Sequence, residues 1–164
     1  MVSADESSNS WSAELVNRID ELVDEYREAF IRALDGLSDE EARLRLVPST
    51  TTLLGLVKHV TFVEGVWFDQ AVSGRSVAEI GIATTPDRSF SLTQSDTVAS
   101  VLEGYRRRIE TSRRTMAELA PDDMVHGRGP RLVWALRLQV LRELAQHAGH
   151  ADILREQILA RRAD

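Results

Sequence analysis

Three histidines and one glutamate are the residues whose types and spacing could hold a metal ion. His59 lies within an apolar helical pattern, so its imidazole is predicted to face the interior. Glu143, His147 and His150 follow one another at i, i+4 and i+7, which places them on nearly the same face of a helix. One helix can therefore present two imidazoles and a carboxylate to a single point, and His59 from a neighbouring helix could complete a three-ligand set. Such a set leaves a position open for water or substrate, as catalytic metal sites require.

Each histidine taken alone is more typical of a hydrogen-bonded core residue than of a metal ligand. The cluster is different, because two core-facing imidazoles one turn apart, with a third on another helix and a carboxylate within reach, are costly to bury without partners. An H-x-x-H pair on a helix is only a moderately specific pattern. The spacing by itself leaves metal binding and a polar core feature as equal alternatives.

The composition excludes several classes of chemistry. The chain of 164 residues has no cysteine, which excludes a disulfide scaffold, a cysteine-ligated zinc site and catalysis by a thiol of the protein itself. Thiol chemistry would therefore use a thiol brought in from outside. The 26 acidic residues outnumber the 20 basic ones, which argues against nucleic acid as a partner.

Composition and hydropathy also bear on organisation and location. Residues 1–10 are rich in Ser, Asp and Glu and are predicted to form a disordered tail, followed by a single domain over residues 11–164. The tail lacks the basic start and the apolar run of a secretory signal. No run of about 18 apolar residues occurs, so no membrane-spanning helix is predicted. These features predict a cytoplasmic protein that does not bind membranes.

Four apolar stripes of helical period predict four long helices. Ser38 is predicted to open a short helical turn after the first of them, and Gly74 to end the second. Thr93 is predicted to begin the third helix, and Pro130 to lie in the first turn of the fourth. The stripes cover residues 11–37, 53–71, 93–120 and 130–158.

Matched helices of this length bury their stripes most simply as an all-α four-helix bundle. Residues 75–92 have no sustained periodicity and form a connection long enough to cross the bundle, which permits the second and third helices to run parallel. The shorter connections, 38–49 and 121–130, imply antiparallel neighbours. The predicted topology is therefore up-down-down-up.

Two motifs resemble those of the DinB-like (YfiT-like) metalloenzymes. The first runs from Leu54 to Val60 and is followed by Glu64 and by the pair Trp67-Phe68. The second runs from His147 to Glu156, in the order H-A-G-H-A-D-I-L-R-E. The resemblance covers nearly the whole chain, and the layout with a long second connection is similar as well.

The resemblance implies a divalent metal, zinc or nickel, and the family's positions correspond here to His59 and His147. It leaves two residues for the third ligand. Many members space the pair on the last helix as H-x-x-x-H, whereas His147 and His150 are three apart and position 151 is alanine. An isomerase-like pattern places a glutamate four residues before the histidine, which Glu143 satisfies. We predict His59, His147 and His150 as the ligands, with Glu143 as the competing ligand or as an acceptor that orients an imidazole.

The same resemblance implies a function, since relatives in this family are similar to mycothiol- or bacillithiol-dependent S-transferases and to a mycothiol-dependent maleylpyruvate isomerase. The leading hypothesis is a metal-dependent enzyme that transfers a small thiol such as mycothiol to a small electrophile. The alternatives are a non-catalytic dimeric helical bundle with a structural metal or polar core site, and a metal-dependent hydrolase. The family and the three tryptophans Trp11, Trp67 and Trp134 also suggest a homodimer.

Several other residues have a structural and a functional interpretation. Trp67 and Phe68 are expected to pack in the core or at a dimer interface, and the alternative is that either lines a substrate pocket. The arginines 106–108, 113 and 114 are expected on a solvated helix face, although arginines near a metal site would suit an acidic substrate. His126 is expected on the surface of a Gly-containing loop.

Overall fold

The protein is mostly helical, and the computed structural model describes the backbone of residues 4–162 and the side chains of residues 14–162. In chain order the elements are α1 (Ala4–Ala33), α2 (Asp39–Ala42), α3 (Leu53–Glu64), a π-helical segment (Gly65–Gln70), α4 (Ala71–Ser73), α5 (Val77–Ile80), α6 (Pro86–Ser89), α7 (Val98–Ala117), β1 (Met124–Val125), β2 (Arg131–Leu132) and α8 (Val133–Ala160). The predominance of long helices agrees with the predicted all-α class.

The first helix differs from its prediction at both ends. It begins at Ala4 instead of Trp11, so most of the segment predicted to be a tail belongs to α1, while Met1–Ser3 lie outside the described residues. It ends at Ala33, before the predicted Leu37, because residues 34–37 turn back through hydrogen bonds of the i→i−3 type. The capping box predicted at Ser38 is present and opens α2.

The second long helix contains a feature that the sequence did not predict. Thr52 caps α3 by accepting the N–H of Gly55. Gly74 ends α4 in the left-handed region with φ 73°, as predicted. Between them, residues 65–70 form a π-helical segment, a widened turn that often occurs at functional sites.

The connection over residues 75–92 contains two short helices in place of an irregular loop. Ser76 and Glu79 form a capping box that opens α5. Thr85 accepts the N–H of Arg88, and Pro86 occupies the first turn of α6. These local signals were present in the sequence, but helices of this length have no detectable apolar period.

The starts of the last two long helices were predicted too early. The carboxylate of Asp96 accepts the N–H of Thr93, which closes a turn there, and Thr97 is the residue that caps α7. Pro130 lies outside α8, because residues 131–132 pair with 124–125 as a two-stranded antiparallel hairpin. The hairpin uses the backbone groups that a longer helix would have needed.

The long helices pack against one another around a single apolar core. The α1 helix packs along α8, and α3 packs against both α7 and α8. The core consists of aliphatic and aromatic side chains from all four long helical segments, among them Phe30, Leu56, Tyr105 and Leu144, none of which is more than marginally exposed. Among the described residues, every helix is too short or too polar to cross a lipid bilayer.

A buried ion pair joins α1 to α3. Arg27 donates from Nε to Glu64 Oε1 at 2.9 Å and from Nη2 to Glu64 Oε2 at 2.8 Å, which is a bidentate arrangement. The side chain of Glu64 is 0% exposed and that of Arg27 is 6% exposed. Arg27 also donates to Asp24 at 2.8 Å. The pair therefore links α3 to α1 through side chains in the interior.

Replacing Glu64 by glutamine is expected to lower the free energy of unfolding by about 3–5 kcal/mol, because the buried Arg27 charge then loses its bidentate partner and keeps only the partly exposed carboxylate of Asp24. Urea denaturation of the metal-free protein measures the loss. The control is Glu21→Gln, which removes an exposed ion pair with Arg18 and is expected to change stability by less than about 0.5 kcal/mol. A loss in Glu64→Gln as small as in the control would show that the buried pair does not stabilise the fold.

Candidate metal centre and adjoining cavity

Two long helices bring together two imidazoles and a carboxylate. His59 comes from α3, and Glu143 and His147 come from successive turns of α8. One potential ligand atom from each residue lies within 4.8 Å of the others. His59 is buried, and the other two are partly buried. The i, i+4 spacing brings together only the two residues of α8. His59 joins them because α3 packs against α8 in one particular register.

The ring of His59 is held from two sides. Its Nδ1 lies 2.7 Å from the Oγ of Ser89 on α6. Because the single hydroxyl proton of Ser89 is donated to the carbonyl of Pro86, Nδ1 must be the donor towards Ser89. This tautomer leaves the lone pair of Nε2 available for a metal. Phe90 stacks on the imidazole with ring centroids 4.0 Å apart and planes inclined by 12°.

The carboxylate of Glu143 is also oriented by neighbours. Its Oε1 accepts from Gln139 Nε2 at 2.9 Å and from Arg142 Nη2 at 2.6 Å. Its Oε2 lies 3.7 Å from Nε2 of His147. The two donors occupy one oxygen and leave the other facing the histidine, which is the arrangement of a ligand whose position is set by surrounding hydrogen bonds.

The electrostatics of the site keep both imidazoles neutral. Burial, with a contribution from nearby His147, lowers the pKa of His59 from 6.5 to about 4. Burial also lowers the pKa of His147, and this effect outweighs the opposing charge of Glu143. Neutral imidazole is the form that binds metal, so both rings are in the ligating state at neutral pH without competition from protons.

His150 lies apart from this group. It is exposed, and its ring centroid is 5.5 Å from that of His147. The group of mutually close ligand atoms contains Glu143 in its place. The set of His59, His147 and His150 therefore stays a prediction, and the described geometry favours the competing ligand that the sequence had named.

The residues of the close group fit a divalent metal. Two imidazoles and one carboxylate are the donor set of one known class of catalytic zinc site. The Nδ1 atom of His147 is buried and has no hydrogen-bond partner among the described residues, and an unsatisfied buried polar atom costs free energy. A metal ion bound to one imidazole nitrogen, with the ring reoriented to suit, would remove this free-energy cost.

A cavity of about 330 Å³ opens beside the group, and we call it the His59 cavity. His59 and Glu143 form part of its lining. Its walls are mainly apolar, and its remaining polar side chains come from three separate segments. The apolar lining residues are Phe62, Val63, Val66, Trp67, Val77 and Pro86, and the polar ones are Thr84, Arg128 and Gln139.

The structure separates the roles of Trp67 and Phe68. Phe68 is buried in the core, as expected. Trp67 is half-buried and lines the His59 cavity, which was the less favoured expectation. The guanidinium groups of Arg128 and Arg131 lie over the Trp67 ring at 5.5 Å and 5.3 Å from its centroid.

The arginines of α7 do not line the His59 cavity. Arg108 pairs with Asp69 at 3.0 Å, and Arg113 pairs with Asp24 at 3.0 Å. The others lie on an exposed helix face, as expected. His126 is exposed in the hairpin loop, also as expected.

Sequence reasoning missed the residues that orient the site. Gln139 could have been found, because it precedes Glu143 by one helical turn. Ser89 and Phe90 carried no such signal, since they belong to a connection that reads as irregular and reach His59 only through the tertiary fold. The Thr85-Pro86 start of α6 was the one local clue to their position.

The metal-free protein is expected to lose stability as pH falls from about 6.5 towards 4, because the unfolded chain then binds a proton that folded His59 does not. Urea denaturation at about pH 7 and about pH 5 measures this dependence. His59→Asn is expected to reduce it and to leave the part that comes from His147, while His126→Asn, at an exposed loop histidine, leaves it unchanged. An unaltered pH dependence in His59→Asn would contradict a neutral buried His59.

Comparison with known families gives one extended match. Residues 18–160 match the family described as mycothiol-S-transferase. The comparison with curated proteins finds no significant match. The matched segment runs from α1 to the last turn of α8 and includes His59, Glu143 and His147. It covers most of the chain and agrees with the resemblance carried by the two histidine motifs. The chain therefore belongs to the mycothiol-S-transferase family.

Proposed function

We propose that the protein is a metal-dependent S-transferase that joins mycothiol, or a similar small thiol, to a small electrophile. The observation that carries the proposal is the close group of His59, Glu143 and His147 beside a cavity, in a chain of this family. The absence of cysteine from the sequence is consistent with it, because the sulfur nucleophile is then supplied by the thiol substrate.

The proposed ligands are His59, His147 and Glu143. Their support is the mutual proximity of one ligand atom from each, the Nδ1-protonated form of His59 and the orphaned nitrogen of His147. His150 is the alternative third ligand, and zinc and nickel are the candidate metals. A bound divalent ion would lower the pKa of a thiol in its open position, which makes a thiolate at neutral pH.

The protein's own residues contribute orientation and exclusion of water. Ser89 holds the tautomer of His59, and Gln139 and Arg142 hold the carboxylate of Glu143. Phe90 covers one face of the His59 ring. An apolar electrophile bound against the apolar walls of the His59 cavity would displace water from them, which limits competing hydrolysis.

The proposed reaction is a substitution at an electrophilic carbon. A bond forms between the thiol sulfur and that carbon, and the bond from the carbon to its leaving group breaks. The leaving group departs with the bonding electron pair, and the proton of the thiol passes to solvent. The reaction needs no oxidant or reductant, and a hydrolase would differ only in using water as the nucleophile.

The proposal also includes the topology of the helices and the oligomeric state. An up-down-down-up bundle is supported by the packing of α1 on α8 and of α3 on α7 and α8, with residues 74–97 as the long connection. A homodimer is supported by the exposed Trp134 and Leu138 on one face of α8. The side chain of Trp11 lies outside the described residues. Cytoplasmic location stays a prediction of the sequence.

Metal content distinguishes the two ligand sets. His147→Ala is expected to lower bound metal at least about tenfold, and Glu143→Gln to lower it by a similar factor, because each removes a donor. His150→Ala and the control His126→Ala are expected to retain it. The measurement is elemental analysis of untagged protein after dialysis against zinc or nickel. Loss in His150→Ala together with retention in Glu143→Gln would assign His150 as the third ligand.

Conjugation activity tests the proposed reaction. The metal-loaded protein is expected to join mycothiol to a chloronitroarene with release of chloride, and chelation of the metal is expected to reduce the rate at least about a hundredfold. His126→Ala is the matched control and keeps full activity. Absorbance of the thioether follows the reaction. Tightly bound metal without turnover would favour the non-catalytic bundle, and turnover of an ester without thiol would favour the hydrolase.

A further inference from the structure

The lining of the His59 cavity is asymmetric in charge. Its walls are mostly apolar, and Arg128 is the only lysine or arginine among the described residues that line it. Glu143 is the only carboxylate in that lining, and its charge is already paired with Arg142 at 2.6 Å. The cavity therefore offers an apolar volume with one cationic group that no carboxylate of the lining neutralises.

Arg128 is held in place by the loop that carries it. The preceding residue, Gly127, donates its N–H to the carbonyl of Ala71 at 2.9 Å. A Cβ at Gly127 would lie 2.1 Å from the carbonyl oxygen of Gln70, so only glycine allows the loop to approach the end of the second helix this closely. The backbone beside Arg128 is thus anchored against the same helix that supplies Trp67.

The guanidinium of Arg128 is positioned by two contacts and keeps N–H donors for a ligand. One N–H donates from Nη1 to Gln70 Oε1 at 2.7 Å, and the group lies over the face of Trp67. A guanidinium carries five N–H donors, and the other four form no hydrogen bond within the part of the chain that the structure describes, so they remain for other acceptors. A planar group with spare parallel donors matches a carboxylate better than it matches a neutral carbonyl.

From this lining we infer that the electrophile is an apolar molecule that carries a carboxylate, and that Arg128 is the residue that selects for it. The inference rests on the proposed function for its assignment of the cavity to the electrophile. The apolar body would lie against Phe62, Val66 and Trp67, and the carboxylate would accept from Arg128. Arg128 acts here in binding and specificity and takes no part in the bond changes.

Binding of a matched pair of probes tests the inference without the reaction. The probes are 4-nitrobenzoate and 4-nitrobenzamide, which differ in charge but share their size and ring. The wild-type protein is expected to bind the carboxylate about tenfold more tightly than the amide in isothermal titration. The preference is expected in both metal-free and metal-loaded protein, and to shrink with added salt.

Two substitutions assign the preference to one residue. Arg128→Gln is expected to remove it and to leave amide binding unchanged. Arg131→Gln is the matched control, since Arg131 also lies over Trp67 but does not line the cavity, and it is expected to keep the preference. Equal affinity of the wild-type protein for both probes would overturn the inference. A preference that survives in Arg128→Gln, or that appears only with metal bound, would overturn it as well.

The outcomes separate this inference from the proposed function. Because no thiol is present in the titrations, a carboxylate preference that depends on Arg128 stands even where conjugation activity is absent, and the proposed function alone then fails. Conjugation activity without such a preference overturns the role of Arg128 alone. Circular dichroism of Arg128→Gln confirms that the variant is folded before its affinity is compared.

Discussion

The buried ion pair between Arg27 and Glu64 is the constraint on which the rest of the structure depends. An ion pair inside an apolar core tolerates little displacement, because each charge loses its solvation and regains energy only from a partner in bidentate geometry. It links α3 to α1, and both of these helices pack along α8. Glu64 follows His59 by little more than one turn, so the pair also sets the height at which His59 faces α8.

The candidate metal centre also depends on the low polarity of the protein interior. Burial that would be costly for a charged group keeps His59 and His147 neutral, with depressed pKa values. Each ligand is then oriented by a neighbour that is not itself a ligand, Ser89 for His59 and Gln139 for Glu143. The site is therefore built from two packed helices and a surrounding layer of hydrogen bonds, an arrangement that would hold metal ligands in place before an ion binds.

The connections between the long helices place side chains at the site that the long helices themselves do not carry. The α6 helix places Ser89 beside His59, and the hairpin loop places Arg128 at the His59 cavity. The close approach at Gly127 ties that loop to the end of the second helix, where the backbone passes through its π-helical segment. Loops anchored to a helical scaffold can vary in side chain without loss of the core, so specificity is most readily encoded there.

The sequence by itself determined the helical class, the capping residue Ser38 and the helix end at Gly74, because apolar period and capping chemistry are local. It also named every member of the close group, since the row on α8 follows from helical spacing. Only the tertiary structure favoured Glu143 over His150, because both lie on nearly one face and the packing of α3 decides which of them His59 meets. The residues that orient the site and the shape of its cavity likewise depend on contacts between segments distant in sequence, which no local pattern encodes.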